Sequence, residues 1–331
     1  MIASANGHEF TNGGRETCVE RAFALMVSGT DPIQALVEGV TIVELDPGDT
    51  SVGFGSLPNA DGIVELDACC MDASRRRAGG VAALQGVATA AAVAARVLED
   101  TSHHLLAGAG AQAFARACGF PIVDDLNSER SRALWMEWKR RLAAHEATAG
   151  MSRIEAGYAI GLDMSLEGLL DANHLWGTIH CSALTPRGAL AAVTTTSGLA
   201  WKLPGRVGDS SILGAGLYAR AEAGAAGSTG RGESNLFGLS SFFIVEAMRR
   251  GAHPKDAAID ALRHIVADTT APALLNGRRQ PNFNVKFYAM NARGDHASAA
   301  LYGGDDVRYA VCTENGAELR LCDALLDGPM L

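Results

Sequence analysis

The segment WGTIHC, residues 176–181, opens the second half of the chain and contains the residue types on which the fold and the chemistry depend. Two further segments continue that pattern: VTTTSGLAWKLPGRVGDSSILGAGLY, residues 193–218, and GAAGSTGRGES, residues 224–234. Hydroxyl groups, charged side chains and many glycines are concentrated in these three segments. Strands are predicted over 177–183 and 189–196, and the glycines indicate tight turns around them. This pattern predicts a strand-rich half with a polar site.

Thr178 is the candidate nucleophile of this region. A hydroxyl nucleophile needs a base, and no Gly-x-Ser-x-Gly motif of a serine hydrolase is present. The α-amine of the nucleophile itself could serve as the base without a second side chain, and a cut after Gly177 would expose it. An α-amine titrates near ~7.7–8.0, so part of it is neutral at neutral pH. His180 lies two residues further along a predicted strand, on the same face, and is the rival base.

The order of the other predicted elements favours layered α+β over a doubly wound parallel sheet, because helices and strands come in blocks. Helices are predicted over 16–28, 31–44, 79–99, 112–118, 130–147, 240–250 and 254–269. Further strands are predicted over 63–68, 105–107, 284–291, 297–302 and 308–312. The polar stretch 148–176 is interpreted as a flexible linker, which would give a new amino terminus at Thr178 room to separate.

Composition excludes several classes of protein. The 331 residues carry 28 basic and 37 acidic side chains, a net charge of −9, which disfavours binding to nucleic acid or anionic membranes. No apolar run is long enough to span a bilayer, and the first residues do not resemble a signal peptide. The seven cysteines are scattered without a Cys-x-x-Cys pair, so we expect reduced thiols, a cytoplasmic protein and no zinc site.

The glycine motifs do not indicate a nucleotide cofactor. GAGAQAF, residues 108–114, lacks the third glycine of a dinucleotide-binding loop, and GSTGRG, residues 227–232, lacks the Lys-Ser/Thr of a P-loop. We therefore interpret both as turns and expect no cofactor and no metal.

Taken together, these segments make the sequence similar to a known family. It resembles the glycosylasparaginase and isoaspartyl peptidase (plant-type asparaginase) family of N-terminal-nucleophile hydrolases. The resemblance covers nearly the whole chain and rests on residues 46–72, 78–84, 103–120, 177–179, 194–219 and 224–234. Within it, SVGFGSLP (51–58) and WKLPGRVGDS (201–210) are more similar to the glycosylasparaginase branch.

The resemblance implies a four-layer αββα sandwich made from a single domain, 1–331. It also implies a precursor that cleaves itself into an α chain, 1–177, and a β chain, 178–331. The processed units would form a homodimer. The substrate would be a small molecule, either an asparagine derivative or a β-aspartyl peptide.

The resemblance also implies roles for individual residues. Thr178 would be the nucleophile and its freed amine the base. Thr196 would hydrogen-bond to the nucleophile and tune it, while Ser51 would orient the amine. Thr229 and Gly230 would stabilise the oxyanion, a task that suits a backbone N–H at a glycine.

Two charged residues would hold the amino-acid head of the substrate. Arg206 would bind the α-carboxylate through its planar fork, and Asp209 would bind the α-ammonium. Taken alone, this pair would be interpreted as a surface ion pair worth ~0–1 kcal/mol.

The chain departs from the family at two informative positions. Asn6 stands roughly where the family offers a Trp, and Gly177 stands where glycosylasparaginases carry Asp. The sodium-binding loop of plant-type members is not recognisable. We therefore expect an N4-(β-N-acetylglucosaminyl)-L-asparaginase-like amidohydrolase, with an isoaspartyl peptidase or L-asparaginase as the alternative. An inactive amino-acid-binding pseudoenzyme is a third possibility, and a nucleotide-binding protein is disfavoured by the incomplete glycine motifs.

Overall fold

The computed structural model describes residues 1–146, 153–171, 175–328 and 330. Its α-helices are α1 Asn6–Glu9, α2 Cys18–Val27, α3 Pro32–Glu44, α4 Ala90–Asp100, α5 Gly108–Ala117, α6 Glu129–Glu146, α7 Arg153–Leu166, α8 Glu233–Leu236, α9 Ser240–Arg249 and α10 Pro254–Asp268. Its strands are β1 Ile2–Ser4, β2 Leu66–Asp72, β3 Arg77–Leu84, β4 Leu105–Ala107, β5 Ile179–Leu184, β6 Leu190–Thr196, β7 Leu217–Arg220, β8 Gly224–Gly230, β9 Val285–Asn291, β10 His296–Tyr302, β11 Arg308–Thr313, β12 Gly316–Leu321 and β13 Asp323–Leu326.

The strands form two sheets. The larger has the order β12-β11-β1-β5-β6-β2-β3-β4, and the smaller has the order β13-β10-β9-β8-β7. Most neighbours are antiparallel; β3 with β4 and β10 with β13 are parallel. In the larger sheet, the pairing of Ile179 with Thr195 places the start of β5 beside the end of β6.

Three buried clusters separate four layers. One lies between the sheets and joins residues such as Cys69 and Ala192 of the larger sheet to Ala225 and Tyr288 of the smaller. A second packs the larger sheet against α2 to α5, and a third packs the smaller sheet against α9 and α10. Apolar residues on both faces of each sheet require such a cover of helices outside and a partner sheet inside. The predicted αββα sandwich is confirmed.

The helix predicted over 79–99 is wrong in its first part. The chain forms strand β3 over Arg77–Leu84, and α4 begins only at Ala90. The small residues of β3 imitate a helix composition, but they are small because the strand is buried on both faces. A Cβ at Gly79 would lie 2.2 Å from the backbone nitrogen of Leu98, so α4 packs directly on this strand.

The flexible linker predicted over 148–176 is also wrong where the structure describes it. Residues Arg153–Leu166 form helix α7, while 147–152 and 172–174 lie outside the described residues. Ala156, Ile160 and Met164 recur at every fourth position and are buried in a cluster with α6. This apolar stripe along one helix face is the signal that the polar composition concealed.

Candidate active site

A small pocket lies where the two sheets meet, and several of the predicted site residues line it. Thr178 precedes β5, Thr196 ends β6, and Gly230 ends β8 of the other sheet. Arg206 and Asp209 enter from the glycine-rich loop that comes after β6. The other lining residues are Trp176, Gly198, Leu199, Gly208, Ser210 and Gly232. The pocket holds about 10 Å³ in this uncut chain, the space of a single water molecule.

The carbonyl group of Gly177 is hydrogen-bonded inside this site. Thr196 Oγ1 donates to the Gly177 oxygen at 2.6 Å and accepts from the Gly198 N–H at 2.9 Å. Because the Gly198 N–H occupies one lone pair, the hydroxyl proton of Thr196 is directed at the carbonyl. The arrangement polarises the carbonyl of the peptide bond that precedes the buried Thr178.

Thr229 and Gly230 close the opposite side of the site. Thr229 Oγ1 lies 2.8 Å from the buried Tyr288 hydroxyl and 3.5 Å from the carbonyl oxygen of Thr178. Gly230 has φ +120°, and a Cβ there would lie 2.3 Å from the Asn284 carbonyl oxygen. Only glycine fits this close approach of β8 to its neighbour.

Ser51 supports the site from outside the pocket. Its Oγ donates to Asp49 Oδ1 at 2.6 Å, and Asp49 Oδ2 also accepts from Asn6 at 3.0 Å. The Ser51 carbonyl accepts the N–H and the hydroxyl of Ser197, directly after Thr196. In the uncut chain, Ser51 therefore fixes the loop after β6, and its predicted contact with the Thr178 amine stays a prediction.

Arg206 is held in place by a carboxylate that sequence reasoning missed. Its Nε and Nη2 lie 2.8 and 2.7 Å from Glu233 Oε1, and the side chain is only 15% exposed. Burial raises the pKa of Glu233, but the charge and hydrogen bonding of Arg206, a backbone hydrogen bond and the charge of Arg231 together lower it below its usual range. The pair therefore stays ionised and the fork is oriented before any substrate enters.

Asp209 is a buried carboxylate with two hydrogen-bond donors. Ser228 Oγ and Asn235 Nδ2 each lie 2.7 Å from its Oδ2. Burial raises the pKa of Asp209, while these two bonds and the charge of Arg206 act in the opposite direction. The net shift is upward, so a cation bound beside Asp209 would favour its charged form.

His180 is not placed to act as a base for Thr178. Its Nδ1 lies 2.9 Å from Thr194 Oγ1 and its Nε2 lies 2.6 Å from Ser182 Oγ, so both ring nitrogens are engaged. The ring is buried between the sheets, stacked on Tyr288 with 6.1 Å between centroids. Burial lowers the pKa of His180 to about 3. His174, the other nearby histidine, lies outside the described residues.

Glu44 is a second buried carboxyl that the sequence did not reveal. It ends α3 beneath the larger sheet and accepts from the Ala91 N–H at 2.9 Å and from Thr195 Oγ1 at 2.8 Å. It therefore ties the start of α4 to the residue before Thr196. Burial raises the pKa of Glu44 to about 7.

Glu44→Gln is expected to reduce the dependence of stability on pH. The folded protein keeps a proton on Glu44 up to about pH 7, whereas the unfolded chain loses it near 4.5. The wild-type free energy of unfolding therefore falls as pH rises between these values, by about 3 kcal/mol. Glutamine keeps an oxygen for Ala91 and Thr195 and cannot ionise.

Urea unfolding at pH 4.5 and pH 8 measures this difference. The control is Glu38→Gln, which removes an exposed carboxylate from the same helix. The control should behave as the wild type does. Equal losses of stability in the wild type and in Glu44→Gln would show that Glu44 is not protonated in the fold.

Two structural features and the state of the cysteines can be reported for the described residues. No group of three or more His, Cys, Asp or Glu side chains among them could hold a metal ion. In the part of the chain that the structure describes, no helix has the length and apolar character needed to cross a membrane. All seven cysteines are unpaired, and six of them are buried.

Comparison with known proteins agrees with this geometry. The profile of a family described as Asparaginase matches residues 3–272. An N(4)-(beta-N-acetylglucosaminyl)-L-asparaginase of Elizabethkingia miricola is 34% identical over 93% of this chain and 81% of its own length. A probable isoaspartyl peptidase/L-asparaginase 3 of Arabidopsis thaliana is 31% identical, covering 86% of this chain and 81% of its own. The mouse N(4)-(beta-N-acetylglucosaminyl)-L-asparaginase is 36% identical over 72% of this chain and 71% of its own. The chain that carries this pocket belongs to the asparaginase family.

Proposed function

We propose that this protein is an amidohydrolase that cleaves the side-chain amide of asparagine derivatives, using Thr178 as an amino-terminal nucleophile. The observation that carries the proposal is the convergence of Thr178, Thr196, Arg206 and Asp209 on one pocket. The names of its relatives support two kinds of substrate, N-acetylglucosaminyl-asparagine and β-aspartyl peptides or asparagine.

The first step is the cut between Gly177 and Thr178, which yields the α chain 1–177 and the β chain 178–331. Thr178 Oγ attacks the Gly177 carbonyl carbon, the peptide C–N bond breaks, and an ester to Oγ replaces it. The hydroxyl proton passes to the departing nitrogen, which becomes the Thr178 amine. Negative charge develops on the Gly177 oxygen, which already accepts the hydrogen bond of Thr196. Water then hydrolyses the ester, which frees the Gly177 carboxylate and restores the Thr178 hydroxyl beside the amine that the break of the C–N bond had already released.

Substrate binding uses the opposite charges of the pocket. Arg206 binds the α-carboxylate with its fork, and Glu233 keeps that fork oriented. Asp209 binds the α-ammonium, which offsets the cost of its burial. Both groups are present in every asparagine derivative, so these contacts fix the aspartyl head and leave the leaving group free to vary.

Hydrolysis then proceeds in two stages. The Thr178 amine takes the hydroxyl proton as Oγ attacks the side-chain carbonyl carbon, and Thr229 and the Gly230 N–H stabilise the oxyanion. The amine returns the proton to the leaving nitrogen as the C–N bond breaks. Water, activated by the same amine, releases aspartate from the β-aspartyl ester. Ser51 orients the amine once the new terminus has formed.

A reducing, cytoplasmic setting belongs to the same proposal and is supported by the unpaired, mostly buried thiols. The homodimer implied by the resemblance also belongs to it. The mass of the processed protein in solution tests the dimer.

The experiment that tests the proposal is the analysis of the purified protein for cleavage, together with an assay for released aspartate. We expect two fragments, one ending at Gly177 and one whose terminal sequence begins Thr-Ile-His-Cys. The processed protein should release aspartate from at least one of asparagine, N-acetylglucosaminyl-asparagine and β-aspartyl-leucine. A single intact chain with full activity would contradict the mechanism.

A further inference from the structure

A second, much larger cavity adjoins the catalytic pocket. Its volume is about 630 Å³, and Trp176, Leu199 and Arg206 line both spaces. In the proposed function, Arg206 and Asp209 bind the aspartyl part of the substrate. The leaving group, on the other side of the scissile amide, must then occupy a neighbouring space. The larger cavity is the adjoining space with room for it.

The walls of this cavity are mostly apolar. The apolar side chains that line it include Trp138, Leu142, Leu162, Trp201, Leu203 and Leu274. Leu203 and Leu274 belong to the part of the chain that starts at Thr178, so these walls stay with the nucleophile after the cut. Ammonia would leave this surface uncovered. A sugar ring could stack on the tryptophans but would turn its hydroxyl groups toward leucine side chains, whereas a large apolar side chain would cover both kinds of wall.

Arg231 places a cation on the same wall. It lies between Gly230 and Gly232, which line the catalytic pocket, and it lines the larger cavity itself. Its guanidinium carbon lies 5.6 Å from the Phe283 ring centroid. Among the described residues, no carboxylate lies within 4 Å of its nitrogens, in contrast to Arg206. The charge of Arg231 acts on Glu233 without a direct ion pair, so this half-buried guanidinium keeps its N–H groups for an anionic group of the ligand.

We propose that Arg231 and this cavity form the leaving-group subsite for β-aspartyl dipeptides whose second residue is large and apolar. This rests on the proposed function. Of the three leaving groups, only an amino acid carries a carboxylate, which Arg231 binds, while its side chain enters the apolar cavity. N-acetylglucosamine is uncharged and polar, and ammonia makes neither contact.

The experiment compares kcat/KM of the processed enzyme for four substrates: β-aspartyl-leucine, β-aspartyl-leucinamide, β-aspartyl-glycine and N-acetylglucosaminyl-asparagine. We expect kcat/KM for β-aspartyl-leucine to exceed that for each of the other substrates by at least about tenfold, because each of them lacks one charged or apolar contact. A preference for the sugar substrate, or for glycine over leucine, would overturn the subsite while leaving the amidohydrolase proposal intact. Failure to cleave any of the four, with asparagine also uncut, would instead refute the proposed function.

Substitutions at two positions, Arg231 and Ala273, test the two contacts separately. Arg231→Gln should remove most of the preference for β-aspartyl-leucine over its leucinamide, and Arg231→Lys should restore part of it. Ala273→Trp places a ring at the cavity wall and should reduce the preference for leucine over glycine. Its control is Ala271→Trp, at an exposed position of the same loop that does not line the cavity. Unchanged substrate ratios in Arg231→Gln and Ala273→Trp would overturn the proposal.

Discussion

Thr178→Ala is expected to leave the chain in one piece and to remove hydrolysis, by on the order of 10³-fold or more. The alanine lacks the oxygen that would attack Gly177, so neither the ester nor a free amino terminus can form. Loss of one side chain therefore removes the nucleophile, and loss of the cut also removes the base. Gel electrophoresis and an assay for released aspartate measure the two losses.

The matched control is Thr178→Ser, which keeps the hydroxyl and loses only a methyl group. It should still be cut and should retain part of the activity. A further comparison, Thr196→Val, keeps the shape of the side chain and removes the hydrogen bond to the Gly177 carbonyl. We expect it to be cut more slowly than the wild type. Full activity of an uncut Thr178→Ala protein would exclude the mechanism.

Arg206→Lys is expected to raise KM by roughly 10- to 100-fold with a smaller change in kcat. This rise in KM corresponds to the loss of one charged hydrogen bond, about 1.5–3 kcal/mol of binding free energy. Lysine keeps the positive charge but lacks the planar guanidinium that Glu233 orients in Arg206. That guanidinium is the group that would bind the substrate α-carboxylate. Because that contact is the same in the bound substrate and the transition state, its loss weakens binding more than chemistry. Steady-state kinetics with asparagine measure both constants.

A substrate and a variant serve as controls for Arg206. The decarboxylated analogue of asparagine, 3-aminopropanamide, lacks the group that Arg206 would bind, so Arg206→Lys should not worsen its slow hydrolysis. Arg187→Lys, at an exposed turn between β5 and β6, should behave as the wild type. Equal cleavage of asparagine and the analogue by the wild type would refute the role of Arg206.

The residues that carry the proposed chemistry could be predicted from sequence because they stand in short, glycine-marked segments. Thr178, Arg206 and Asp209 meet in the pocket because the turns around them are specified locally, and the strands that precede them have a clear pattern. Helix α3 could be predicted for a similar reason, since it begins with Asp-Pro, a cap next to a suitable first residue.

The supporting residues could not be predicted, because their partners are distant in the chain. Glu44 bonds to Thr195, 151 residues away, and nothing local marks Glu233 as the partner of Arg206. Strand β8 was missed as well, because its Gly-Ala-Ala-Gly sequence lacks β-branched residues. Its small side chains are required by packing: a Cβ at Gly227 would lie 2.0 Å from the ring of His180 in the other sheet.

The strand order of the larger sheet has a consequence for the refolding of the protein, if it is cut as proposed. Strand β1 would belong to the proposed α chain, yet it lies between β5 and β11, which would belong to the β chain. Its Ile2 pairs with Ser182 on one side and with Val311 on the other. If the bond after Gly177 is cut as proposed, the two polypeptides would remain hydrogen-bonded to each other within a single sheet. They could not exchange with other copies unless the sheet unfolded. The uncut chain would fold as one molecule at a rate independent of concentration, whereas the proposed two-chain protein, once denatured, would have to recover by a second-order association of two chains. On this proposal, folding of the intact chain has to precede the cut.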